Sequence, residues 1–402
     1  MKRILDRAYR LYCKARRIAT INIPFSYTLT HNIRSTTPQI PYTITEDIIP
    51  TKDDVAIAER LLEAYKKAEN DENSTKKPVE DIWTEIQDKS TSGFLKILEV
   101  GDPEELAEYL CNMSRNSATH GLTQGRVEYD HITRDKNYQH CLALFAKDKL
   151  VSLAEAIGAI PIENPEQGRY GENIYEDTDE LIRKIEKIIG IELSPPPIEG
   201  GLFKITHQKG EFCFRDLTAA YTAWRIKNIL TGKTHKQICE IGGGIGKVAY
   251  YCYELGLHDY TLIDLPYVNV LQGYYLLKTL PSAKITLYGE YGESRQHKSS
   301  IKVYPYWAFH GIKDKSFAIV HNQDSFPEID EAIVKGYLSD IKQKSKHWFM
   351  SINQESRPPS LVQGKRQLNV PELISKAGGF KRVSRSRFWL REGYTEELYE
   401  VG

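Results

Sequence analysis

The chain has 402 residues, longer than one ordinary domain, and its 54 Lys plus Arg balance 54 Asp plus Glu, so no global field draws in nucleic acid and a DNA- or RNA-binding role is not expected. Six cysteines without a C-x-x-C pair suit neither a disulfide framework nor a zinc site and fit a reducing compartment. No apolar run approaches the ~20 residues that span a bilayer, which makes a cytoplasmic location the expectation.

Residues 1–20 open the chain with a helical pattern. Ile4, Ala8, Leu11, Ala15 and Ile18 alternate at spacings of four and three, and Arg3, Arg7, Arg10, Lys14 and Arg17 take the other side. A basic amphipathic helix of this kind has three destinations: peripheral contact with the inner membrane, a seam to a second copy in a homo-oligomer, or the protein's own core. Residues 21–50, rich in Pro, Thr and Ile, read as irregular or extended. A helix is expected over 52–68, where Val55, Ala58, Leu61, Leu62 and Tyr65 share a face; a polar loop follows over 69–77, then helices over 79–89, 103–114, 137–156 and 177–189. Residues 21–200 therefore read as a mainly helical N-terminal domain. Ser194-Pro195-Pro196-Pro197 and Gly200-Gly201 mark its end, since proline cannot continue a helix and paired glycines allow a sharp change of direction.

Strands and helices alternate through 201–402. Strands are expected at 237–241, 260–263, 285–288, 317–320 and 347–352, and helices at 246–255, 268–280, 329–344 and 371–377. Residues 300–311 are ambiguous, and 380–390 with 394–401 look like a closing antiparallel hairpin. The expected fold class is α/β: a Rossmann-like, mostly parallel seven-stranded sheet with a terminal antiparallel hairpin, preceded by the helical domain.

The strongest local signal is the turn Glu240-Ile241-Gly242-Gly243-Gly244-Ile245-Gly246, between the first strand and its helix. Gly242 and Gly244 remove side chains where a nucleotide-like ligand would approach, Gly243 lies between them, and Gly246 would let the helix pack close to the sheet. A dinucleotide fingerprint needs glycine at position 247, which is Lys247 here. S-adenosylmethionine carries no pyrophosphate, and its positive groups favour an acid such as Glu240 nearby. Asp264, followed by Leu265, ends the next strand about 20 residues on, where a carboxylate can accept both ribose hydroxyls.

Methyl transfer to a hydroxyl needs a group to take the acceptor's proton. Beyond the fourth strand, Asp324 and His321 are the first candidates and Glu328 a third; Asp324 or Ser325 could equally serve as a helix N-cap. Two polar stretches in the helical half suit sugar hydroxyls. One runs over 114–125 and includes His120, a further candidate base, and Gln124; the other contains Arg169, Tyr170, Glu172 and Asn173. For these to reach the cofactor, the N-terminal domain must bind the acceptor or fold over the site as a lid.

The motifs EIGGGIGKVAYY (240–251), YTLIDLPYVNVLQGYYL (260–276), HNQDSFPEI (321–329), SINQES (351–356) and WLREGYTEELYEV (389–401), with THGLTQG (119–125), RYGEN (169–173) and PPPIEGGLF (195–203), resemble the bacterial sugar O-methyltransferases associated with surface polysaccharide gene clusters, a class I S-adenosylmethionine-dependent family. The likeness covers roughly residues 100–402. It implies S-adenosylmethionine as donor, S-adenosylhomocysteine as product, and a hydroxyl of a nucleotide-linked, lipid-linked or polymeric glycan as acceptor. It leaves the catalytic base open. Some sugar methyltransferases use a divalent metal, but the spacing of Asp324, Glu328 and His321 does not indicate one. Two alternatives stand: an NAD-dependent sugar oxidoreductase or epimerase, and a catalytically inactive methyltransferase-fold scaffold.

Overall fold

The computed structural model describes residues 38–72, 90–164, 166, 171–290, 300–355, 361–362 and 365–402. The helices expected over 1–20 and 79–89 lie outside them.

The helical half begins with strand β1 (Tyr42–Ile44), followed by α1 (Lys52–Glu72), α2 (Ser92–Val100), α3 (Pro103–Cys111), α4 (Arg126–Arg134), α5 (Lys136–Ala156) and α6 (Thr178–Ile189). Helices α3, α5 and α6 are capped by Asp side chains at their starts. Asp102 accepts from the backbone of Glu104 and Glu105 ahead of Pro103, Asp135 caps α5, and Asp177 caps α6, which ends on left-handed Gly190. Helices α2 and α4 were not expected. In α4 only Ile132 is buried, so its sequence RVEYDHITR carries almost no apolar stripe to read.

The boundary expected at 200–201 falls inside a small sheet. Strands β2 (Phe203–His207) and β3 (Gly210–Phe212) extend β1 antiparallel, with Ile44 opposite Phe203 and Ile205 opposite Phe212. Helix α7 (Phe214–Ile229) then leads to the large sheet. In chain order this comprises β4 (Ile238–Ile241), β5 (Tyr260–Asp264), β6 (Ile285–Leu287), β7 (Ile301–Pro305), β8 (Phe317–Gln323) and β9 (Ser345–Gln354). A short pair, β10 (Leu361–Val362) and β11 (Lys365–Arg366), forms its own sheet, and the hairpin β12 (Phe380–Arg387) and β13 (Tyr394–Val401) returns to the large one.

The order across the large sheet is β12-β13-β9-β8-β4-β5-β7-β6, parallel from β9 to β6, with β13 antiparallel to both β9 and β12. This is the Rossmann-like methyltransferase arrangement, with eight strands where seven were expected. The extra strand comes from the ambiguous stretch. Ile301, Val303 and Pro305 alternate inward as β7, which pairs directly with β5 and leaves the shorter β6 at the edge. The helices between strands are α8 (Lys247–Glu254), α9 (Pro266–Thr279), the single turn α10 (Ala308–Gly311), α11 (Glu331–Lys344) and α12 (Val370–Ala377).

Alternate residues of the central strands feed two apolar clusters. Cys239, Ile263 and Val320 pack with α11 and α12 on one face; Ile238, Leu262 and Ile319 pack on the other in a cluster that also holds Leu61, Leu98, Leu150 and Ile185 of the helical half. Contact between the halves is close. A Cβ on Gly273 in α9 would lie 2.5 Å from Leu61 of α1. Tyr274 donates to Asp54 at 2.9 Å, and Lys278 pairs with the same carboxylate at 2.8 Å. Lys247 makes a second tie. Its ammonium reaches Asp216 of α7 at 2.9 Å and Glu199 of the helical half at 3.4 Å, all three buried. No helix among the described residues is long and apolar enough to cross a membrane.

Candidate active site

Strand β4 lies at the sheet's centre with β5 on one side and β8 on the other, so strand order reverses there, and ligands of open α/β sheets bind beyond the carboxyl ends at such a point. A cleft of about 1080 Å³ opens there, lined by the glycine turn, by the ends of β5 and β8, and by parts of the helical half.

Gly242 is left-handed at φ 74°, and its amide donates to Ile263 O at 3.0 Å; a Cβ would run into the Ser325 hydroxyl. Gly244, at φ 57°, faces the cleft, and a Cβ there would stand 3.6 Å from the carbonyl oxygen of Leu122 in the 119–125 loop. Gly246 does not line the cleft. It caps α8 at φ 92° with Leu276 no nearer than 3.4 Å to a Cβ, so conformation rather than close packing calls for glycine.

Glu240 is buried beneath the turn and accepts from the Tyr260 hydroxyl at 2.7 Å. Burial pushes its carboxyl up to about 8; the Tyr260 bond opposes this, and the charge of Asp264 adds to it. Asp264 keeps an edge on the cleft, one oxygen accepting from Leu265 N at 2.9 Å and the other from the Gln272 amide at 2.8 Å. Desolvation raises it to about 7 against those bonds and the Gly243 amide. Gln272 also reaches Gly244 O at 3.1 Å, joining turn to carboxylate. It was not among the expected residues, although an amide inside the apolar stretch VLQGYYLL was a signal. Leu265 and Gly243 line the same cleft.

At the exit of β8, Asp324 takes a left-handed φ of 65°, and its carboxylate accepts from Arg391 and from the Tyr394 hydroxyl. Glu328 lies in the same wall. Burial pushes it up to about 7, with Asp324's negative charge adding and Arg391 opposing. His321 is placed elsewhere. It is fully buried on β8 opposite Glu240, 2.7 Å from the Tyr260 hydroxyl, lowered by burial to about 3, and does not line the cleft. Ser325 makes no cap bond; its hydroxyl accepts from Asn322 at 2.5 Å, while Asp330 caps α11.

From the helical half, Gly121 and Leu122 line the cleft, but His120 points to solvent on the neighbouring turn. Gln124 is a brace, accepting from Phe203 N at 2.9 Å and donating to Gly201 O at 2.7 Å. Asn173 is bound to Glu155 at 2.9 Å and, through its backbone, to Glu163 at 2.6 Å; neither it nor Glu172 lines the cleft. Arg169 and Tyr170 lie outside the described residues. The walls instead use residues sequence reasoning missed: Glu128, Tyr138, Phe145, Arg215, Arg391 and Tyr394. Among the described residues no three His, Cys, Asp or Glu side chains gather as a metal-holding group.

No protein-family model matches the chain, and no curated protein does. Solved structures do. The mitomycin 7-O-methyltransferase is 12% identical with a TM-score of 0.33, over 47% of this chain and 57% of that one. These neighbours are methyltransferases. The magnesium protoporphyrin IX methyltransferase of Synechocystis PCC 6803, solved with bound SAM, is 10% identical at a TM-score of 0.31, over 46% of this chain and 77% of its own. A glycopeptide N-methyltransferase complexed with S-adenosyl-L-methionine is 13% identical at 0.32, over 45% and 87%. The chain spans just over half the length of the mitomycin enzyme, and its fold assignment rests on the strand order rather than on these likenesses.

Proposed function

We propose that the chain is an S-adenosylmethionine-dependent O-methyltransferase, acting in the cytoplasm on a sugar hydroxyl during assembly of a bacterial surface polysaccharide. The supporting observation is the pair of raised carboxyls, Glu240 and Asp264, set under and beside an open glycine turn. A ligand with ribose hydroxyls and fixed positive charge suits them. A dinucleotide-binding turn would carry glycine at position 247, where Lys247 instead pairs with Asp216 and Glu199, which disfavours the oxidoreductase alternative.

When bound, the cofactor supplies an electrophilic methyl group. This chain's residues do the rest. Asp264 holds the ribose while Gln272 keeps that carboxylate oriented against the turn. Glu328 receives the acceptor's proton: it lines the cleft and is raised to about 7, near working pH, where a general base is most effective. Asp324, fixed by Arg391 and Tyr394, contributes the negative charge that helps keep Glu328 raised. Tyr138, Phe145 and Phe214 offer ring faces to a sugar. His321 and His120, off the cleft, have no part in this reading.

Two measurements test it. Calorimetry should give binding of S-adenosylmethionine and S-adenosylhomocysteine but not NAD; preference for NAD would sink the reading. Mass spectrometry of the surface glycan with and without the protein should show a lost methyl group. An unchanged glycan removes the sugar acceptor.

A further inference from the structure

Among the described residues, one cation lining the cleft stands outside any ion pair. Arg215, near the start of α7, lines the cleft with its guanidinium carbon 5.4 Å from the Phe214 ring centroid. Its Nε is shut off from solvent and has no hydrogen-bond partner, and no ion pair forms to it among the described residues. The like charge of Arg391 acts on it, and two acids oppose that from a distance. Asp324 is already engaged by Arg391 and Tyr394, and Glu128 is itself pushed up by burial towards its neutral form. A half-buried guanidinium with its Nε sealed and unpaired is costly, and a neutral hydroxyl repairs it poorly. A planar or tetrahedral oxyanion repairs it well, through paired charge-assisted bonds to the fork.

We infer that the acceptor carries an oxyanion and that Arg215 binds it. The inference rests on the acceptor reading above and narrows the substrate class to charged sugars. The oxyanion is either the carboxylate of an acidic sugar or the phosphate of a nucleotide- or lipid-linked one.

The test needs no methyl transfer. The thermal midpoint of the full chain, saturated with S-adenosylhomocysteine, is measured against sodium phosphate, sodium glucuronate and sodium chloride at matched ionic strength. Phosphate or glucuronate should raise the midpoint above chloride. Because phosphate also raises midpoints by exclusion from the surface, the response that counts is the part lost in Arg215→Gln: such a response to phosphate alone assigns a phosphorylated sugar, and to glucuronate alone an acidic one. Arg215→Gln should weaken the anion by about tenfold or more, the worth of one charge-assisted bond. Arg215→Lys, which keeps charge and bulk, should lose less. Calorimetric binding of S-adenosylhomocysteine to both variants shows that they are folded. If neither anion acts on the wild type, or if whichever anion acts on it acts equally on Arg215→Gln, the inference is overturned. Should S-adenosylhomocysteine fail to bind even the wild type, the methyltransferase reading falls, and the same anion series without it decides the oxyanion site separately.

Discussion

At the level of single residues, the donor pair makes the sharpest claim. Glu240 and Asp264 stand at about 8 and about 7 in the folded protein against ordinary values near 4. Between those limits the unfolded chain ionises them and the folded one does not, so stability without cofactor should fall as pH rises from about 4 to about 8. A positively charged ligand reverses the balance. Its binding should release protons, and its affinity should climb over the upper part of that window. Calorimetry in buffers of different ionisation enthalpy would count the protons, and Glu240→Gln should flatten both trends. Asp264→Ala should weaken the donor itself; unchanged affinity there would remove the ribose assignment. Glu328→Gln should leave donor affinity alone but lower kcat by roughly 10²- to 10⁴-fold, the usual range for a general base. In the wild type, rate should rise with pH through about 7 as Glu328 loses its proton. A Glu328→Gln enzyme with wild-type kcat would move the base elsewhere.

Among the elements, the tie through Lys247 joins α8, α7 and the segment at Glu199, with both acids buried. Lys247→Met should cost about 3–5 kcal/mol by leaving two buried carboxyls without their cation, and adding Asp216→Asn should recover part of it in denaturant melts. What could be read in advance followed from the same physics. β4, β5 and β8 are short runs buried on both faces, α5 is a long helix buried nearly all round over 142–154, and α6 carries a clear stripe, both behind Asp caps, so sequence and structure agree on them within a few residues. Helix α4 buries one apolar side chain, and the alternation of β7 lasts only five residues before it runs into the aromatic stretch that follows Pro305. The donor turn was legible because its residues are neighbours in the chain. The opposite wall of the cleft was not: Glu128, Arg215 and Arg391 meet only after folding, and His321, plausible by position, points behind the strand because strand side chains alternate.

For the molecule as a whole, proline and paired glycines suggest a cut at 200, and contacts cross it. β2 and β3 belong to the β1 sheet, and Leu61 packs where Gly273 leaves room. A fragment of residues 201–402 should therefore fail to give a cooperative melt, whereas the full chain should unfold in one transition; a stable, donor-binding fragment would refute this. The layout of the cleft has a bearing on how such chains diversify. The donor cradle is written in one stretch, from Glu240 to Gln272, whereas the opposing wall is assembled from α4, α5, α7 and the loop between β12 and β13. After gene duplication, a lineage could drift in those few wall patches and acquire a new substrate with the cradle untouched, so descendants would share an obvious donor signature while their acceptor preferences left almost no common trace in sequence.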